Sequence, residues 1–283
     1  MLRSLLRKLL KSINRILSLK GLELRRTNAA GSSKSLVSVV GDLFALGLSD
    51  RDNKDFAKFL ESTAYFLTKG IKPEGQLLQD LWVISQHGTK PGFFLDIGAG
   101  HPIQISNTWV LQSQFDWSGI VVEPNPDFSI LHEQIRKSGK VQTLKHAVTP
   151  TSQPHMRYQN DGEYSGNPDN FPGELHHARS VHRSELSIQL VPATTVRDIL
   201  DARNISQIDY LNIDIEGGEV EILKSFPFDY CKVGLITVEH NYRHSDINAV
   251  DNFLTEMNFR KCFNNSTEWD SFYISNELFP LSA

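Results

Sequence analysis

Phe93-Phe94-Leu95-Asp96-Ile97-Gly98-Ala99-Gly100 is the stretch that decides the fold. Three apolar residues in a row, entered through Pro91-Gly92, predict a short buried strand ending at Asp96. Gly98 and Gly100 follow at once, where the chain must turn tightly and let a ligand approach its backbone. A helix is expected next, from Ile105 to Phe115. Strand, glycine turn and helix start together place a ligand site at the carboxyl end of a parallel strand.

Three readings of this stretch compete. It is an ordinary strand–turn–helix, since glycine turns are common punctuation. It is a dinucleotide site, but Ile103 stands where the third glycine of G-x-G-x-x-G belongs. Or it binds S-adenosylmethionine, which asks for an acid at the strand end, a glycine turn, and a second acid after the next strand for the ribose hydroxyls. Gly119-Ile120-Val121-Val122-Glu123-Pro124-Asn125-Pro126 supplies that acid in Glu123. A carboxylate accepts from two vicinal hydroxyls, so the residue type fits the chemistry.

The run from Phe93 to Phe128, the block Leu211 to Leu223 (LNIDIEGGEVEIL) and Thr237 to Asn241 (TVEHN) resemble the core of the FkbM-type methyltransferase family, in order and spacing. The resemblance spans roughly residues 76 to 275. It implies a class I Rossmann-like α/β fold: a seven-stranded, mostly parallel sheet with helices on both faces. It further implies S-adenosyl-L-methionine as methyl donor and O-methylation of a hydroxyl. It adds Gln79 of the Gln79-Asp80 pair to the cofactor site, and Ser106 and Asn107 at the methionine end. Ala147 falls near the adenine by fold analogy. With the strand-end residues, the expected cofactor set is Gln79, Asp96, Gly98, Gly100, Ser106, Asn107, Glu123, Pro124, Asn125, Ala147 and Asp214. Many members carry glycine after the histidine of the turn; this chain has Pro102, which fixes the backbone there.

The 283 residues suffice for one large domain with an appendage. Cys231 and Cys262 form neither a disulfide framework nor a zinc spacing, which fits a reducing compartment. Apolar runs fall short of the ~20 residues that span a bilayer. Charge is divided unevenly. Residues 1–26 hold eight Lys/Arg against one Glu, while the rest of the chain holds 21 against 32. An acidic body argues against a nucleic-acid groove. In the basic front end, Leu2, Leu5, Leu6, Leu9, Ile13, Ile16 and Leu17 recur at helical steps, with Arg3, Arg7, Lys8, Lys11 and Arg15 largely off that face. This pattern fits peripheral binding to anionic membrane, docking to a protein, or packing at home. Residues 27–90 read as a linker and helical extension, with a helix from Asp52 to Leu67 and another from Gln76 to Gln86. Residues 91–283 make the Rossmann-like domain. The expected location is cytoplasmic, or peripheral on the inner face of the membrane.

Within that domain, strands and helices alternate. Strands are predicted at Val141–Val148, Ile208–Asp214, Val233–Val238, Lys261–Asn264 and Phe272–Ser275. Residues 149–190 interrupt the alternation as a hairpin insertion or lid. Its four histidines lack the spacing of a zinc helix, while Tyr158 and Tyr164 offer faces suited to sugars. Asp96, Glu123, Asp214 and Glu239 each fall at a strand end, so they converge on one sheet edge, where ligands bind. An acceptor hydroxyl needs help to lose its proton. His240 is the natural base, oriented by Glu239 or Asp214. A magnesium ion held by these carboxylates is the less favoured alternative. The sequence thus points to an O-methyltransferase acting on a glycan or glycolipid-like hydroxyl. The alternative is a catalytically silent cofactor-binding module docked through its front helix.

Overall fold

A computed structural model describes residues 54–162, 165–170, 188–240, 243–263 and 269–280. The front helix and linker, Tyr164, His176, His177, His182 and Asn241 lie outside the described residues.

The seven-stranded sheet has the order β3-β2-β1-β7-β8-β10-β9. Its strands are β1 (Phe93–Ile97), β2 (Ser118–Val122), β3 (Val141–Leu144), β7 (Gln207–Ile213), β8 (Lys232–Glu239), β9 (Phe259–Cys262) and β10 (Asp270–Ser275). β10 runs antiparallel to both of its neighbours, and the remaining pairs are parallel. A parallel pair requires a crossover, and the helices supply it. They are α1 (Lys54–Thr68), α2 (Gln79–His87), α3 (Trp109–Phe115), α4 (Pro126–Ile135), α5 (Val196–Asp201), α6 (Glu219–Ser225) and α7 (His244–Glu256). This is the Rossmann-like α/β architecture expected from the family resemblance and the alternation.

The central strands are buried on both sides, which is why they read as continuous apolar runs. On one face Leu95, Ile97, Leu211, Ile213, Ile236 and Val238 pack against Ile199 and Leu200 of α5, Ile222 and Leu223 of α6, and Leu254 of α7. On the other, Phe94, Tyr210 and Leu235 pack with Phe59 of α1, Leu81, Trp82 and Ile84 of α2, and Leu111 of α3. One step nearer the carboxyl edge on this second face, the apolar surface gives way to polar side chains. Asp96, Asn212 and Thr237 stand opposite one another across β1, β7 and β8. Asn212 Nδ2 donates to Asp96 Oδ1 at 2.9 Å, and Thr237 Oγ1 donates to Asn212 Oδ1 at 2.6 Å.

Several boundaries differ from the sequence reading. The expected helix from Ile105 begins only at Trp109, because Ile105 adopts a left-handed conformation (φ 51°) inside a loop. The helix expected from Gln76 begins at Gln79, after the left-handed Leu78. The strand expected over Val141–Val148 breaks after Leu144. Ala147–Val148 (β4) leave the main sheet and pair with β6 (Ile188–Thr194), which also pairs with β5 (His155–Gln159). The insertion is therefore anchored by a three-stranded sheet in the order β4-β6-β5. Cys231 and Cys262 are buried, and neither is in a disulfide.

Candidate active site

A cleft of about 1080 Å³ opens along the carboxyl edge of the sheet. The strand order sets the sequence of its walls: Glu123 after β2, Asp96 to Gly100 at the end of β1, Asp214 after β7 and Glu239 at the end of β8, all of which line it. Ala147, Val148, Tyr158, Ser165 and Asn170 contribute from the second sheet and the insertion.

The Gly98 turn is shaped by close approach. Gly98 has φ 79°, and a Cβ there would stand 1.7 Å from the carbonyl oxygen of Asp214. Glu123 is buried and aimed by backbone on both sides: its Oε2 accepts from Gly100 N–H at 2.8 Å and its Oε1 from Asn125 N–H at 2.7 Å. Asp96 is fully buried, and burial raises its pKa. Hydrogen bonds from Thr108 and Asn212 and the charge of Arg136 oppose that rise. Asn107 donates through Nδ2 to Asn212 Oδ1 at 3.1 Å, while its Oδ1 is buried without a hydrogen-bond partner. Asn107 lines the cleft, so this orphaned acceptor suits a ligand carrying an N–H donor.

The far end is acidic. Burial first, and then the nearby Asp270, hold Asp214 well above the usual carboxylate range. Burial and the charge of Asp214 do the same to Glu239. The two carboxyls face each other closely enough to share a proton, and each raises the other's affinity for it. Glu239 Oε2 is buried with no hydrogen-bond partner. Glu216 also lines the cleft, from a left-handed position (φ 60°). Its turn is tied down by Glu219, whose Oε1 accepts from Gly217 N–H at 2.6 Å and whose Oε2 accepts from Arg243 Nη2 at 2.8 Å.

With this geometry in place, the chain can be compared with known proteins. The Methyltransferase FkbM domain matches residues 96–261, more than half of the chain. The chain belongs to the FkbM methyltransferase family. Comparison with curated proteins gave no match. Among solved structures, the METTL16 methyltransferase domain is similar at 13% identity and TM-score 0.40, over 83% of this chain and 88% of that one. The N-terminal domain of human METTL16 in complex with SAH is similar at 12% identity and TM-score 0.40, over 88% and 97%. An SAM-dependent O-methyltransferase from Thermotoga maritima is similar at 10% identity and TM-score 0.38, over 70% and 64%.

Most of the residues singled out by sequence meet in this FkbM cleft: Asp96, Gly98, Gly100, Asn107, Glu123, Pro124, Ala147, Asp214 and Glu239. Four stand behind it. Gln79 is buried with its amide engaged, accepting from Leu77 N–H at 2.7 Å and donating to Asp270 at 2.5 Å. Gln76, three residues earlier, lines the cleft instead. Ser106 caps α3, accepting from Trp109 N–H at 3.2 Å. Asn125 caps α4 and holds Asn160 of the insertion at 3.0 Å. His240 is 2% exposed and does not line the cleft; its backbone N–H donates to the Trp269 carbonyl at 2.7 Å. Burial, then the charge of Lys261, push its imidazole down to about 4. Thr149, Asn170 and Trp269 line the cleft without having been expected there, and Tyr158, suggested as a sugar-facing ring, and Glu216, two residues beyond Asp214, line it too. Thr149, Tyr158 and Asn170 are placed by the second sheet and the insertion, and Trp269 by the last hairpin.

Proposed function

We propose that this cleft binds S-adenosyl-L-methionine and that the enzyme methylates a hydroxyl of a glycan or glycolipid-like acceptor. The observation that carries the reading is the order of groups along one sheet edge: buried Glu123, the Gly98–Gly100 turn, orphaned Asn107, then the Asp214–Glu239 pair. Glu123 suits the ribose hydroxyls, and Asn107 Oδ1 suits the ammonium of the methionine part. Ala147 and Val148 offer a buried apolar wall for the base. When bound, this cofactor supplies an electrophilic methyl group, taken up by an oxygen that gives up its proton.

The proton is the part left to the chain. An alcohol is far too weak an acid to ionise alone at neutral pH, so a positioned base supplies about 10²–10⁴-fold in rate. His240 was the expected base, but its burial behind the cleft moves that role to Asp214 and Glu239. A buried pair with a raised pKa is a stronger base than an ordinary carboxylate, which suits it to this task. Trp269 and Tyr158 add aromatic faces for a sugar ring.

The test is incubation of the protein with methyl-labelled cofactor and a panel of glycans, glycolipids and small alcohols. Label appearing as an alkali-stable ether on a sugar supports the proposal. Label confined to amines or to protein overturns the acceptor assignment. The basic, amphipathic sequence of residues 1–26 supports peripheral docking on anionic membrane near a lipid-linked acceptor. Removal of residues 1–26 is expected to abolish sedimentation with anionic vesicles at low salt. Equal sedimentation of the shortened chain overturns the docking role.

A further inference from the structure

The loop from Gly98 to Thr108 carries much of the cofactor wall, yet it has no regular secondary structure. Gly98, Gly100 and Ile105 in it are all left-handed. Such a loop has no ladder of its own to hold its shape. Besides its bonds to Val122, Glu123 and Asn212, it is held by two side chains from one turn of a neighbouring helix. His132 and Arg136 stand four residues apart, on one face at the end of α4, and both are buried. His132 Nε2 meets the Gly100 carbonyl at 2.9 Å. Burial and the charge of Arg136 push its imidazole down to about 3, so the ring is neutral and Nε2 carries the proton it donates.

Arg136 spans the rest of the loop. Its Nη2 donates to the Pro102 carbonyl at 3.0 Å and to Ser106 Oγ at 2.8 Å, and its Nη1 donates to Thr108 Oγ1 at 3.1 Å. Thr108 Oγ1 in turn donates a hydrogen bond to Asp96 Oδ2 at 2.6 Å. The guanidinium also lies 5.8 Å from the Trp109 ring. One planar fork thus grips the loop from Pro102 to Thr108 and connects it to the acid of β1. Pro102 has no N–H to give, and its carbonyl is the atom the fork takes. A lysine has the charge but not the fork.

We propose that Arg136 is a positioning residue for the cofactor site: through Pro102, Ser106 and Thr108 it sets the loop that presents Gly98, Gly100 and Asn107 to the ligand. The inference rests on the cofactor reading above, and the experiment separates the two. Binding of S-adenosylhomocysteine is measured by calorimetry on the full chain, alongside KM for the cofactor, kcat and thermal unfolding. For Arg136→Lys, loss of charge-assisted hydrogen bonds predicts affinity about 10- to 100-fold weaker. KM rises in parallel, while kcat at saturating cofactor stays within about threefold, because uniform binding rather than chemistry is lost.

A merely structural arginine would lower the unfolding temperature and leave KM and affinity unchanged in the folded fraction; that result overturns the proposal. Should Arg136→Lys not fold, Ser106→Ala removes one acceptor of the fork and one cap of α3, and a weaker shift in KM in the same direction is expected. Unchanged KM in Ser106→Ala then overturns the proposal. Absence of any S-adenosylhomocysteine binding by the wild-type chain overturns the cofactor reading and this inference together. Binding by wild type that both variants match overturns this inference alone.

Discussion

Gly98→Ala tests the architecture of the site at its tightest point. The new Cβ would lie 1.7 Å from the Asp214 carbonyl oxygen, a backbone atom that cannot rotate away. Relief to an ordinary minimum contact of about 3.0 Å requires β1 and the Asp214 segment to part by about 1.3 Å. That movement stretches the hydrogen bond from Asp214 N–H to the Ile97 carbonyl, now 2.9 Å. The left-handed backbone (φ 79°) costs about 1–2 kcal/mol for any residue with a Cβ. A buried backbone group left without its partner costs about 1–3 kcal/mol more. The expected destabilisation is therefore about 3 kcal/mol. Urea unfolding followed by tryptophan fluorescence reads it directly. Gly139→Ala is the control, since Gly139 is also left-handed (φ 74°) but has nothing within 4 Å of its added Cβ. It should lose only the backbone strain, about 1–2 kcal/mol. Equal losses in the two variants would refute the claim that strand contact, rather than conformation alone, dictates Gly98.

Glu123→Ala should fold and bind S-adenosylhomocysteine about 10- to 100-fold more weakly; unchanged calorimetric affinity would remove Glu123 from the site. Asp214→Asn should lower turnover by at least about 100-fold, whereas His240→Ala should stay within about tenfold of wild type. A loss in His240→Ala as large as in Asp214→Asn would return the base to histidine. Because Asp214 and Glu239 titrate above the ordinary carboxylate range, turnover should rise with pH along a limb displaced upward from about 4; a rate already flat from pH 5 would contradict this. Asp270 is pushed up to about 6, mainly by burial, against 3.8 in the open chain. Its folded form binds the proton more tightly, so the associated stability is present below pH 4 and is lost as pH rises through 6. Asp270→Asn should flatten the stability curve between pH 4 and 7 by up to about 3 kcal/mol; parallel curves for variant and wild type would rule this out.

The sheet was legible because buried parallel strands write themselves as apolar runs, and the four acids because each stands beside such a run. Phe93–Ile97 and Lys232–Glu239 fall within a residue or so of their predicted limits for that reason. The turn after β1 was legible as a turn but not in extent. Nothing in Ile105 announces a left-handed backbone, and the next residue, Ser106, is held by Arg136, thirty residues away. His240 was read as a base from its place after a strand-end acid, and nothing in the sequence showed that it would be buried and would not line the cleft. Its backbone N–H pairs with the Trp269 carbonyl, and the charge of Lys261 acts on its imidazole. Gln79 was recognised through the family resemblance, and its amide holds Asp270 rather than bordering the cleft. β4 was joined to β3 because two apolar residues after a two-residue gap carry no mark of a change of sheet.

The polar side chains that cross β1, β7 and β8 have a consequence for how the sheet assembles. Buried parallel strands this uniformly apolar say little about how far one should slide along another. A slip of two residues keeps every side chain on its own face and costs the hydrophobic core almost nothing in kind. Such a slip of β1 would set Asp96 against Tyr210 or Asp214 instead of Asn212, and would leave Asn212 beside Gly98 or Phe94 without its carboxylate partner. Each buried group stranded in this way costs about 1–3 kcal/mol. Asp96, Asn212 and Thr237 therefore act as a vernier for the sheet: a misaligned strand can collapse onto its neighbours, but it cannot stay. The cleft inherits that precision, because the residues that follow the three strands reach the carboxyl edge at one fixed height.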